Sequence, residues 1–207
     1  MRAPAFREEQ WQHRFDAHVA PVNHLVDDLI AEHPGRWMPY IPPYHGGIES
    51  EILWLFQDPG KKTAVEFDGS GFVGCQNDDP SAETAARCLE MAEVAFNRVT
   101  PWNAYPWFQP DQGGVTPAMI DEGLDALVRV LALMPKVHTV VAGGGKAQAS
   151  WKKLRRVYPA VAAHYRCIES LHTSGLGITN GSRHSKDEGM ARVAEDLRRA
   201  IDPEPPA

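Results

Sequence analysis

Five consecutive apolar residues, Ile52-Leu53-Trp54-Leu55-Phe56, run straight into Gln57-Asp58-Pro59-Gly60. A bulky apolar run of this length, cut off by a proline and a glycine, reads as a strand buried on both faces, the kind found inside a parallel sheet. In open α/β sheets, ligands bind in the crevice outside the carboxyl ends of the strands. Asp58 therefore falls where such a fold does its chemistry. A second reading makes Asp58 the cap of a following helix, with Pro59 at the first helical position. Three later strands that also end in polar or glycine-rich signatures favour the first.

Along the rest of the chain, helical periodicity over residues 7–33 is divided by Pro21. Val22, Leu25, Val26, Leu29 and Ile30 form the apolar stripe of the second piece, which Pro34-Gly35 closes. Residues 36–47 are too rich in proline and glycine for regular structure and read as an irregular arm packed by its aromatics. A polar loop spans Lys61 to Asp79. Asp79-Pro80-Ser81 then starts a helix to about Asn97, with Ala85, Leu89, Ala92 and Phe96 on one face. Arg98 to Trp102 is a short strand ending at Asn103. Thr116-Pro117 caps a helix with an Ile120, Leu124, Leu127, Leu131 stripe. Val137 to Ala142 is a strand running into Gly143-Gly144-Gly145-Lys146, and a basic helix of about a dozen residues follows. Arg166 to Leu171 is the fourth strand, ending at His172. The last helix carries Met190, Val193, Leu197 and Ile201, and Pro203 to Ala207 fray. This alternation predicts an α/β fold with a four-stranded parallel sheet wrapped by helices. It is organised as one domain over 1–207: a helical, Pro-rich extension over 1–47 and a core over 48–202.

Three cysteines, Cys75, Cys88 and Cys167, lie far apart with no C-x-x-C pairing. That disfavours structural zinc, a disulfide framework or a four-thiolate iron–sulfur cluster, and no cofactor or metal is expected. No apolar run approaches a membrane span and the start has no signal-peptide core, so the expectation is cytoplasm or nucleoid, with no membrane partner. The net charge of −6 is unevenly spread: Lys146 to Lys186 holds eight Lys/Arg against Glu169, a balance of +7 that leaves −13 elsewhere. A basic C-terminal third on an acidic body is compatible with a polyanion held on one face; a solvated helix face accounts for Lys152 to Arg156 equally well.

In a parallel sheet the strand ends Asp58, Asn103, Gly143 to Lys146 and His172 share one rim. Several familiar motifs are absent. Gly143 to Ala147 lacks the glycine spacing and the Ser/Thr of a nucleotide P-loop, and the third glycine of a dinucleotide fingerprint. No serine sits in G-x-S-x-G, and no H-x-E accompanies P-C-x-x-C.

Gln57-Asp58-Pro59 resembles the water-activating G-Q-D-P-Y-H motif of the uracil-DNA glycosylase superfamily, and His172 to Gly177 is similar to its H-P-S-P-L-S signature. Gly181 to Lys186 resembles the segment that follows it, Asp79-Pro80-Ser81 the proline-rich loop, and Gly144 to Gln148 the glycine-serine loop. The resemblance covers roughly residues 50–200 in matching order. It implies a three-layer α/β/α fold and a set of roles. Asp58 orients the attacking water and stabilises the cationic sugar, and His172 hydrogen-bonds uracil O2. Phe72 stacks on the base, Asn103 reads its edge, and Gln57 and Gly60 line the base site. Ser81, Gly145, Lys146, Ser174 and Arg183 contact DNA, and Leu176 wedges into the duplex. Departures are Phe56 for the first glycine, Thr173 and Gly175 for prolines, Gly145 for a serine, and Gly60 for the tyrosine that excludes thymine.

These residues predict a monomeric, monofunctional glycosylase that releases uracil from DNA, with no lyase lysine. A broader glycosylase accepting thymine, 5-substituted uracils or hypoxanthine is the alternative that Gly60 supports. A non-cleaving damaged-DNA-binding protein and a hydrolase of free nucleosides are two more. The chemistry fits: breaking an N-glycosidic bond leaves an oxocarbenium and an anionic base, so the site needs fixed negative charge near C1′ and a donor at the leaving oxygen.

Overall fold

The computed structural model describes residue 1 and residues 3–202; the expected fraying of Pro203 to Ala207 lies outside them. Strands β1 (Ile52–Phe56), β2 (Val99–Asn103), β3 (Thr139–Gly143) and β4 (Arg166–Ser170) form a parallel sheet in the order β2-β1-β3-β4. The apolar run that predicted β1 is thus central, and Ile52 to Leu55 are fully buried. Pro101 lies within β2, an edge strand, where its missing N–H costs the sheet no ladder bond on the outer side.

Alternation along the strands sorts the core into two layers. Leu53, Leu55, Val140 and Ala142 face α2 (Ala20–Glu32), α4 (Pro117–Ala132) and α5 (Gly145–Val157). Ile52, Trp54, Val141 and Ile168 face α3 (Pro80–Ala92) and α8 (Lys186–Ile201). The result is the expected three-layer α/β/α arrangement. All four stripe residues of α4 are buried, and Thr116 caps its start by accepting from the Met119 N–H. Helix α8 begins with a reciprocal capping box between Ser185 and Glu188.

Two local expectations need correction. α3 ends at Ala92, not near Asn97. Glu93 adopts φ 58°, its N–H bonds back to the carbonyls of Glu90 and Leu89, and Val94 follows to Leu89 at 3.0 Å. This closes the helix as a glycine would, but with a residue that rarely takes that backbone. The first helical region begins earlier than residue 7 and has a gap: α1 is Pro4–Gln12 and α2 starts at Ala20. Two single-turn helices also went unforeseen, α6 (Pro159–Ala162) and α7 (Gly175–Ile178).

The arm over 36–47 is irregular, as expected, and it is tied to the core. His45 is fully buried, with Nδ1 2.9 Å from the Val99 carbonyl and Nε2 accepting from the Cys75 N–H at 3.3 Å. Burial pushes the His45 pKa down to about 4.

Candidate active site

The carboxyl ends of the strands open onto a cavity of about 1090 Å³. Of the predicted residues, Gln57, Asp58, Gly60, Ser81, Asn103, Gly145, Lys146, His172 and Ser174 line it. The topology does this directly. Phe56 and Asn103 are register partners at the rim, and Gly143 pairs with Ser170, two residues before His172.

Asp58 follows β1 on the turn made by Pro59 and Gly60, and its carboxylate does not cap a helix. Burial raises its pKa, and hydrogen bonds from the Gln57 and Gln109 side chains pull it back. The Gln109 Nε2 donates to Asp58 Oδ2 at 3.0 Å. Burial lowers the pKa of His172 from the ordinary histidine value. Its Nδ1 accepts the Ser174 N–H at 3.0 Å. That bond fixes the neutral tautomer, leaving the proton on Nε2 as a donor. The ring is seated by glycines: a Cβ on Gly144 would lie 2.7 Å from the His172 Cβ, and one on Gly177 would lie 2.6 Å from it.

Asn103 is 3 % exposed and faces the cavity. Its amide has no hydrogen-bond partner among the described residues and is not sealed from the cavity, so both its donor and its acceptor are open to whatever occupies that space. Gly60 leaves open space, with no atom within 4 Å of a built Cβ.

Two helix N-termini meet the cavity, and they differ. At α3 the Asp79 carboxylate already accepts from the N–H groups of Ser81 and Ala82, both at 2.9 Å. The start of α5 has no side-chain cap, so the first-turn N–H groups at Gly145 and Lys146 stay available to an anion. Lys61, Lys62, Lys146 and Lys153 also line the cavity, though Lys153 is paired with Asp121 at 2.6 Å. Lys152 pairs with Glu169 at 3.0 Å, so part of the basic excess in the sequence is neutralised locally.

Phe72 is not in the cavity, which corrects its expected place against a base. It is fully buried, its ring 5.1 Å from that of Trp11. The arm causes this: Tyr40 bridges to Phe72, donating to the Gly71 carbonyl at 3.0 Å and accepting from the Val73 N–H at 2.9 Å. The aromatic residue that does line the cavity, beside Asn103, is Phe56. Leu176 and Arg183 lie outside the cavity, both exposed; Leu176 is 79 % exposed on α7, the most open large apolar side chain among the described residues. Gln109 was invisible in the sequence, because the segment between β2 and α4 has no periodicity and no motif.

No family model matches this chain, and no curated protein does. Among solved structures, the crystal structure of wild-type SMUG2 from Pedobacter heparinus matches with a TM-score of 0.51 and 13 % identity, over 90 % of this chain and 86 % of that one. At that identity the likeness is one of fold: the chain has the fold of that SMUG2 structure.

Proposed function

We propose that the protein is a monofunctional glycosylase that hydrolyses the N-glycosidic bond of uracil in DNA, acting as a single domain and a monomer. The observation that carries the reading is the pairing, across one cavity, of a half-buried carboxylate with a neutral histidine whose tautomer is fixed as a donor. In this mechanism the C1′–N1 bond breaks first and its electron pair passes into the base, building negative charge on O2. His172 Nε2–H donates to that oxygen; one such donor is worth roughly 3–4 kcal/mol. Asp58 stabilises the oxocarbenium, aligns a water that attacks C1′ and accepts its proton, which passes through solvent to the released base anion. An abasic sugar and the free base are the products. Asn103 donates to uracil O4 and accepts from N3–H, and Phe56 forms the apolar wall that Phe72 does not provide. Cytosine inverts both Asn103 contacts, and unpaired buried polar groups cost about 1–3 kcal/mol each. The free N-terminus of α5, with Lys146, suits a backbone phosphate.

A broader base range is a second reading, favoured by the open space at Gly60. One assay separates the readings: oligonucleotides carrying single uracil, thymine, 5-substituted uracil or hypoxanthine, followed by alkaline cleavage. Asp58→Asn should lower single-turnover uracil release by roughly 10²–10⁴-fold with binding retained. Near wild-type release by that variant would remove Asp58 from the mechanism, and binding without cleavage by the wild type would make the protein a lesion binder.

A further inference from the structure

We propose that Gln109 is a positioning residue for Asp58, its side-chain amide holding the carboxylate ionised and in place. The inference rests on the catalytic reading of Asp58 given above. Gln109 Nε2 donates to Asp58 Oδ2 at 3.0 Å. An ionised carboxylate only accepts, so a donor held against one oxygen favours the charged form and fixes the plane of the group. A carboxylate has about four lone-pair sites, and this contact leaves others free for a water.

The amide is delivered by main-chain ties. On one side, Ala104 N–H donates to the Phe56 carbonyl at 2.8 Å and Tyr105 N–H to that of Gln57 at 3.0 Å, so the segment is fastened to the strand end that carries Asp58. Phe108 N–H donates to the Trp37 carbonyl at 2.7 Å, which fastens it to the arm. The Gln112 side chain donates to the Gln109 carbonyl at 2.5 Å and closes the turn beyond. The residue before Gln109 is therefore held by the arm, which gives residues 36–47 a function at the site.

No cation does this work instead: among the described residues Asp58 has no ion pair within 4 Å. The charged and titratable groups sharing its cavity are Lys61 and Lys62 from the turn after β1, Asp79 at the start of α3, Lys146 on α5, His172 after β4, and Cys75, whose thiol burial keeps protonated. Asp121 and Lys153 face each other as a pair. With burial pushing its pKa up, Asp58 relies on neutral donors to stay charged.

Gln109→Met keeps the length of the side chain and removes the donor; Gln109→Glu replaces it with a negative charge. The Asp58 carboxyl titration is followed by carbon-13 NMR, its resonance identified by its loss in Asp58→Asn. Uracil release from a single-stranded oligonucleotide is measured across the same pH range. Gln109→Met should raise the Asp58 midpoint by about one pH unit, the size of a charge-assisted hydrogen bond, and Gln109→Glu should raise it further. The acid limb of the rate should move with it, at unchanged KM, while the His172 titration stays in place. An Asp58 midpoint unmoved in both variants would overturn the inference. A shifted midpoint in a protein that releases no base would leave the Gln109–Asp58 coupling standing and remove the glycosylase reading.

Discussion

Gly144 and Gly145 are adjacent, yet an added methyl should have opposite consequences at the two. Gly144 has φ 86° and ψ 168°, a region essentially reserved for glycine and costing other residues about 1–3 kcal/mol. Its Cβ would also lie 2.7 Å from the His172 Cβ, and that atom is already packed so closely against Gly177 that a Cβ there would lie 2.6 Å from it, which leaves His172 little room to shift. The strain must be relieved by displacing the imidazole or the start of α5. A misplacement of 1 Å at a catalytic group costs about 10²-fold in rate. Gly145 has nothing within 4 Å of its Cβ and an ordinary φ, and alanine suits a helix better by about 0.5–1 kcal/mol. In single-turnover uracil release at saturating substrate, Gly144→Ala should lose about 10²-fold and Gly145→Ala little. In a thermal melt, Gly144→Ala should fall by roughly 2–12 °C, at about 2–4 °C per kcal/mol for a chain of this size, while Gly145→Ala holds or rises. Equal rate losses in the two variants would refute the argument. So would a lowered melt with an intact rate in Gly144→Ala, since the clash is directed at His172.

Two further outcomes test other parts of the molecule. Leu176 is exposed on α7, so Leu176→Ala should leave the melt unchanged; as a wedge, its loss should spare single-stranded uracil and penalise duplex, with a mismatched duplex between, because extrusion costs a few kcal/mol only from a paired stack. Equal losses on all three substrates with a lower melt would assign it to packing. His45 should make the fold acid-sensitive. Its folded pKa, about 4, lies below the ordinary 6.5, so its contribution is complete above pH 6.5 and is lost as pH falls toward 4, about 3 kcal/mol in all. His45→Gln should flatten the dependence of the melt on pH across that window, even if its absolute melt is lower, and an unchanged slope would show that other groups carry it.

β1 and β3 were legible because each is an apolar run ended by a polar or glycine residue, a pattern that needs only local chain to interpret; β2 (Val-Thr-Pro-Trp-Asn) and β4 (Arg-Cys-Ile-Glu-Ser) are mixed, and their places followed from the alternation of strands with helices. The rim followed from the strands, since parallel topology alone brings Asp58, Asn103, Gly144 and His172 to one edge. The end of α3 was not legible: Glu93 occupies a backbone that sequence patterns assign to glycine or asparagine, held there by the Val94–Leu89 closure. Phe72 was misplaced for a different reason. Its side chain is turned inward by Trp11 and by the bridge to Tyr40, two partners more than thirty residues away in a segment without a motif.

That difference marks a division of labour in the site. The groups assigned to chemistry lie at strand ends, where a short motif can carry them. Apart from the Gln109 side chain, their supports are main-chain atoms of irregular segments: the Trp37 carbonyl behind Phe108, the Gln57 carbonyl behind Tyr105, the Ser174 N–H on His172. A main-chain atom is present whatever the side chain, so these contacts leave almost no trace in residue identity. What they constrain is the path of the arm and of the 104–116 segment. A one-residue deletion between Tyr40 and His45 should therefore disturb Asp58 more than most single substitutions at those positions, because it moves the carbonyls rather than the side chains. The exceptions are the residues that fix the path themselves: Gly46, whose Cβ would lie 2.0 Å from the Asn97 carbonyl oxygen, and His45, whose ring joins β2 to the Cys75 N–H.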